Sequence, residues 1–506
     1  MSRHRIAQGQ RHKFLFKNVS WLFIGRMTVR MVSLLILPVT TAYLKPEAYG
    51  IIALFLVQAA MLQGFFDLGL SNFGSRLILK YDRRCPRLCR QYLGVIIVIK
   101  LLVSLSVLAV CIPFSKMLFL FFIKDASAQQ PWLYLVPVIY AFFSNFFAFF
   151  MEAFISLQNN KYLIFSEIFE FLLIVPLQII GLVFWKFTWV DVVVLQLAAR
   201  ILGAGFGLFL LRKNIGFSWR RMKIFSMAMK YSLPLLPLNF VSWVQGYLEK
   251  IFLSRMQSAK SVGLFDLGDK FSNVFSMFSR PVVTTVKPEI SKRLDGKDAN
   301  IQKDLTEIFA LFFQFSVFVV FTVSLFAREL VKVFASAQYG NVFIIIPMMM
   351  STYLFQELSG ILNLKFIFKN RTIFYSFVTF FGIFCSIVLN YIFVSRFDFI
   401  GASFASMLSN FLTFLVTYYL SQHLHRSRYY LIRNFSVFIL IAALFLFLNQ
   451  YSTVSMIWLV IKLGIVFIYG LILVILSFKF NQRFQEIVLL VYDKINSMKN
   501  LLISKG

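Results

Sequence analysis

The sequence predicts an all-α polytopic membrane protein of fourteen transmembrane helices, built as two six-helix lobes followed by a C-terminal helix pair. Three observations carry that expectation. Hydrophobic residues fill 59% of the 506 positions and only 14% are charged, against about a quarter in soluble domains. Phenylalanine alone occurs 64 times, and mean hydropathy is +0.78. Long apolar stretches alternate with short basic segments from end to end, each long enough to cross a hydrocarbon core of about 30 Å as a helix.

The apolar windows of the first lobe (1–211) run over 15–43, 47–73, 91–114, 131–156, 162–185 and 188–211. The first is too long for a signal-peptide core and no small-residue cleavage site follows it, so it reads as retained. The second lobe (212–420) has windows at 224–253, 262–286, 305–327, 341–364, 371–394 and 399–420. Its first two are the least apolar, carrying Lys230, Glu249, Asp266, Asp269, Lys270 and Arg280. "YSLPLLPLNF" concentrates two prolines at the start of that lobe, where each removes a backbone hydrogen bond and permits a kink. The final pair (421–477) covers 431–449 and 454–477. The tail, 478–506, has the spacing of an amphipathic helix, suited either to the membrane surface or to packing on the bundle.

Basic residues test this arrangement. The net charge of +30 would suggest nucleic acid in a soluble chain, but here the positive charge follows the membrane. The fourteen-window model puts 33 of the 51 Lys and Arg residues on one side and about 9 on the other. One missed or spurious window would invert every later loop and erase the contrast. The bias therefore predicts both termini in the cytoplasm, a bilayer as the environment, and no nucleic-acid partner. Cys85 and Cys89 in "CPRLC" lack a second ligand pair nearby, so no metal site is expected. The loops near 74–90 and 287–304 are too short to fold alone, and no GxxxxGK[ST] phosphate loop is present.

Charge inside the windows then points to function. Arg26 lies about 16 Å along a helix starting near Leu15, close to the bilayer midplane, where an arginine facing lipid costs from about 3 to over 10 kcal/mol. Arg30 shares its face, four residues on. Their most economical setting is a hydrated cavity with anionic contents. Further deep basic residues are Lys100, Arg200, Lys270 and Arg280; the acidic ones include Asp67, Glu152, Glu167 and Glu170. Each also admits a structural role, by snorkelling or by pairing within the bundle.

These features resemble the bacterial polysaccharide-unit flippases of the multidrug/oligosaccharidyl-lipid/polysaccharide exporter superfamily. The likeness rests on "LFIGRMTVRMVSLLILPVTTAYLKPEAYGIIALF", "FFDLGLSNFGSR", "KYSLPLLPLNFVSWVQGYLEKIFLSRMQSAKSVGLFDLGDKFSNVFSMF" and "LNYIFVSRFDFIGASFASMLSN". It implies a multi-pass protein of the bacterial cytoplasmic (inner) membrane with no enzymatic activity and no cofactor. The implied substrate is an undecaprenyl-pyrophosphate-linked oligosaccharide, moved to the outer leaflet by alternating access, with the polysaccharide polymerase machinery as a partner. Arg26, Arg30, Lys100, Arg200, Lys270 and Arg280 are then candidates for the headgroup. Asp67, Glu152, Glu167 and Glu170 are candidates for coupling to a proton or sodium gradient or to the membrane potential. A flippase for the peptidoglycan lipid precursor is the alternative, and a multidrug exporter, which favours a more acidic cavity, is the weaker one. "EAYGIIALF" and "SVGLFDLG" also mark a faint internal repeat, as in transporters built from two lobes.

The topology has a direct check. In intact cells, a cysteine introduced as Lys297→Cys should resist an impermeant external thiol reagent; strong labelling would overturn the charge-derived orientation.

Overall fold

The computed structural model describes residues 36–82, 84–124, 130–216, 224–295, 301–368, 371–424 and 456–480. Most of the 15–43 window, all of 431–449 and nearly all of the 478–506 tail lie outside them. The described residues are helical with short 3-10 turns and contain no strand. They form two compact units, Met1–Asp266 with Phe334–Tyr339, and Leu267–Val333 with Gly340–Gly506.

The first unit holds α1 (Leu37–Tyr43), α2 (Pro46–Asp67), α3 (Leu70–Tyr81) and α4 (Pro86–Phe122). These are followed by α5 (Val136–Ser156), α6 (Asn160–Phe184) and α7 (Trp189–Leu211). It closes with α8 (Ile224–Ser232), α9 (Leu236–Met256) and the first turns of α10 (Ala259–Asp295). Local chemistry sets several starts. Pro46 and Pro86 open α2 and α4, positions where the missing N–H has no helical partner to lose. Thr188 and Asp191 form a capping box at α7, with the Thr188 N–H donating to Asp191 Oδ2 at 2.8 Å. α2 packs against α4, α5, α7 and α9, and α5 packs against α7. A phenylalanine-rich core joins α3, α4 and α5 through residues such as Phe73, Ile96, Phe149 and Phe154.

Two windows that the sequence reads as continuous are broken, and two others run on, α4 to Phe122 and α10 to Asp295. The second, taken as one helix over 47–73, breaks at Leu68 and Gly69, whose φ values are 46° and 80°. The chain then re-enters helix as α3, whose residues 74–81 the sequence reads as part of a loop. The seventh splits into α8 and α9 across a 3-10 turn at Leu233–Leu235, as its paired prolines require.

The second unit holds the rest of α10, then α11 (Ile301–Leu325), α12 (Ala327–Phe334), α13 (Ile346–Phe368), α14 (Thr372–Leu424) and α15 (Met456–Phe480). The α11 axis bends by 57° into α12. α13 packs along α14, and α11 against α13 and α15. Straight, the 53 residues of α14 would reach about 80 Å, far beyond a bilayer. Instead the helix folds back at Asp398, with φ 53° and ψ −136°. A Cβ on Gly401 would lie 2.1 Å from the Phe393 carbonyl oxygen, and one on Gly382 2.8 Å from Thr413 Oγ1, so the two arms run side by side.

By length and composition, seven described helices qualify as membrane spans, rising to nine when each of two bent pairs is taken as one span. α9 and α10 do not qualify, and they carry the windows whose charge already set them apart. The protein is thus an all-α polytopic membrane protein.

Asp398 occupies a backbone region in which glycine alone is unstrained, at a typical cost of about 1–3 kcal/mol. Asp398→Gly should therefore raise the melting temperature of the detergent-purified protein, and Asp398→Val should lower it; the reverse order by scanning fluorimetry would contradict the assigned strain.

Candidate functional site

The break between α2 and α3 organises a buried polar group of the first unit. Because α2 ends in left-handed backbone, Asp67 is free to turn toward α3. It accepts from the Gly69 N–H at 3.1 Å and the Ser71 N–H at 3.3 Å, and from the Ser71 hydroxyl. This caps the orphan donors at the start of α3. Lys100 on α4 completes the group. Its ammonium is fully buried, paired with Asp67, and donates to Ser71 Oγ at 3.0 Å beside the Phe149 ring. One turn away, Asn145 donates to the Phe66 carbonyl (3.2 Å) and to Ser104 Oγ (3.0 Å). Glu152, seven residues further along α5, accepts from Ser75 Oγ at 3.0 Å.

A second cluster joins α5, α6 and α7. Arg200 Nη1 lies 3.1 Å from Glu170 Oε1, and Nη2 donates to the Tyr140 hydroxyl at 3.0 Å. The guanidinium stacks over the rings of Phe147 and Tyr140, at 4.8 and 5.3 Å from their centroids, an arrangement suited to its planar cation. Glu167 stands half-buried three residues before Glu170 on α6.

The candidate residues that the sequence sorted by sign are thus joined across that division. Lys100, a headgroup candidate, holds Asp67, a coupling candidate; Arg200 holds Glu170 in the same way. Arg26 and Arg30 lie outside the described residues, and only the helical backbone of Arg280 is described. Lys270 is exposed on α10. Asp266 is held at 2.6 Å by Lys250 from α9. In the second unit Lys462 of α15, 3% exposed, binds Glu329 of α12 at 2.6 Å, and the Tyr353 hydroxyl donates to Asp269. Sequence reasoning missed Tyr140, Ser71 and Tyr353 as partners. Only Ser71 carried a local signal, in the Asp-Leu-Gly-Leu-Ser run that makes a turn and cap. Among the described residues, no group of three or more His, Cys, Asp and Glu is arranged to hold a metal ion.

Apolar helices that cross a membrane, with charges paired inside the bundle, define a polytopic helical membrane protein. Comparison with known proteins narrows the class. The family described as "Polysaccharide biosynthesis protein" matches residues 15–293, just over half the chain, and the chain belongs to that family. No curated protein matches the sequence. Among solved structures, the Lipid II flippase MurJ in an inward closed conformation superposes with a TM-score of 0.72 at 15% identity, covering 90% of this chain and 98% of its own. An inward-facing multidrug resistance MATE family transporter of the MOP superfamily gives 0.54 at 14% identity, covering 80% of this chain and 99% of its own. A mutant form of the Vibrio cholerae MATE transporter VcmN gives 0.53 at 14% identity, covering 83% and 98%. These likenesses establish a shared fold.

The buried Asp67–Lys100 pair generates a stability test. Lys100→Met leaves a carboxylate without its cation and should cost about 3–5 kcal/mol, seen as lower folded yield and melting temperature. Adding Asp67→Asn removes the uncompensated charge while keeping an acceptor for the α3 cap, so the double variant should recover most of the loss. A double variant no more stable than Lys100→Met would show that the pair does not act as a unit.

Proposed function

We propose that this protein is a flippase for a lipid-linked saccharide, carrying the polar headgroup across the bilayer by alternating access while the lipid tail stays in the membrane. The observation that carries this reading is the match of residues 15–293 to the polysaccharide biosynthesis protein family. The fold shared with a flippase and with multidrug transporters supports it. The pairing of deep charges also suits a protein whose polar interior is maintained within a bilayer.

In detail, the chain has fourteen spans: lobes 1–211 and 212–420, the pair 421–477 and the tail 478–506, with both termini cytoplasmic in a bacterial inner membrane. The substrate is an undecaprenyl-pyrophosphate saccharide. Two readings of the saccharide each have support. The family match favours an oligosaccharide repeat unit destined for surface polysaccharide. The 0.72 superposition over 90% of the chain on a protein named Lipid II flippase favours the peptidoglycan precursor. Superposition on the multidrug transporters is weaker. Mass spectrometry of the lipid retained through native purification separates the readings: an oligosaccharide pyrophosphate supports the first, a pentapeptide-bearing precursor the second.

Arg26 and Arg30 bind the pyrophosphate in either case, offering planar forks that match phosphate oxygens. Lys270 and Arg280 add positive charge on α10. Lys100 and Arg200 maintain the interior by holding Asp67 and Glu170. Ion coupling falls to the carboxylates Glu167 and Glu170, with Glu152 and Asp67 as further candidates, driven by a proton or sodium gradient.

Binding of the purified, monodisperse protein to lipid-linked pyrophosphate saccharide tests the headgroup site. Arg26→Ala or Arg30→Ala should each lose a charge-assisted contact worth about 1.5–3 kcal/mol, roughly ten- to a hundredfold in affinity, with Lys giving partial rescue. Folded variants that bind as tightly as the parent would remove both arginines from the site.

A further inference from the structure

The first unit keeps a set of buried polar atoms that its own side chains leave without partners. On α2, Gln58 is fully buried, and among the described residues neither its Oε1 nor its Nε2 has a hydrogen-bond partner. The same holds for Ser144 Oγ on α5, and for Gln196 Oε1 and Arg200 Nε on α7. Buried amides and hydroxyls are nearly always satisfied, because an unmade bond leaves the full desolvation penalty in place.

Helix packing brings these residues to one level. The rings of Phe55 on α2 and Tyr140 on α5 meet edge-on at 5.4 Å. The two helices run in the same direction, since Phe66 further along α2 meets Phe142 and Asn145 further along α5. One turn beyond the Phe55–Tyr140 contact lie Gln58 on α2 and Ser144 on α5. Tyr140, Ser144 and Phe147 share one stripe of α5. The Arg200 guanidinium spans that stripe, bonded to the Tyr140 hydroxyl and stacked on both rings, so it crosses the level of Ser144. Gln196 precedes Arg200 by one turn on α7. α2, α5 and α7 pack on one another in all three pairings, which closes the layer among them.

The unpartnered atoms are chemically mixed. Gln58 Nε2 and Arg200 Nε only donate, Gln58 Oε1 and Gln196 Oε1 only accept, and Ser144 Oγ does both. An anion would leave the amide oxygens unsatisfied. A cation would be repelled by Arg200 and would leave the donors unsatisfied. Water serves both kinds. None of these atoms bonds to another, so they stand further apart than a hydrogen bond, the spacing that a bridging water fills.

We propose that α2, α5 and α7 enclose a buried water site, holding about two molecules at about three hydrogen bonds each. Its ligands are Gln58, Ser144, Gln196 and Arg200. Glu170 and Tyr140 engage the terminal nitrogens of Arg200, and the water gives its Nε the acceptor that they do not supply. The site stands on packing and goes beyond the flippase reading without depending on it.

The test uses the full chain purified in detergent and the variant Gln58→Met, which keeps the side-chain length and removes both polar atoms. In a dry layer this change deletes two unsatisfied groups and should raise the melting temperature. With water bound it strips the water of partners, and the melting temperature should fall by several degrees, equally in sodium and potassium chloride. In addition, X-ray radiolysis in isotopically labelled water oxidises side chains that touch bound water. Tyr140, 8% exposed, should take up label about tenfold faster than Tyr49, 4% exposed, and Gln58→Met should remove most of that excess. A variant melting temperature at or above the parent's would overturn the site. So would Tyr140 labelling no faster than Tyr49, the result expected if the side chains bond directly to one another. Sodium-specific stabilisation that Gln58→Met abolishes would assign a cation in place of water. Should the variant not fold, the labelling of the parent decides.

Discussion

An isolated charge in a hydrocarbon core is costly enough to displace or unfold the helix that carries it, and the described helices meet that constraint repeatedly in one way. Lys100 is held by Asp67, Arg200 by Glu170, Lys250 by Asp266 and Lys462 by Glu329. Each pair joins two different helices. Helix packing and charge compensation are therefore the same event: α4 reaches its place against α2 with Lys100 beside Asp67, and α15 settles against α12 with Lys462 beside Glu329. Buried ion pairs seldom add much net stability over apolar packing. What they fix is register, because a helix displaced by one turn strands both charges.

Helix positions were legible in the sequence because apolar length is a direct consequence of bilayer thickness. The windows at 131–156, 162–185 and 188–211 lie within a few residues of α5 with its preceding turn, α6 and α7. The two arms of α14 match the windows 371–394 and 399–420, meeting at Asp398, whose backbone is non-helical. Breaks were harder to see. The prolines near Leu233 signalled one, but the Asp67-Leu68-Gly69 break sits inside continuous hydrophobicity, and its cue is a short polar turn that a span-length window averages away.

The candidate site was legible only as an inventory. Periodicity identifies which charges lie deep in a helix, but not what faces them. Lys100 and Asp67 are 33 residues apart and Arg200 and Glu170 are 30 apart, so each pairing is set by how helices pack. Sorting these residues by sign separated partners that the fold unites. Gly50 and Gly263 show the same limit: the repeat that holds them could be read along the chain, while the contact between its copies belongs to three dimensions.

The hairpin in α14 has a bearing on how this chain can vary. Where two helices are joined by a loop, an added residue is absorbed by the loop. Here the two helical arms meet directly at the non-helical Asp398, with no loop between them, and Gly401 rests on the Phe393 carbonyl. One residue inserted there would rotate the whole following arm by about 100°. Ser403, Ala405 and Phe414, now buried, would be carried away from their neighbours together. Length is thus as constrained at this turn as side-chain identity is in a core, and homologous chains should tolerate substitutions at this corner more readily than insertions or deletions.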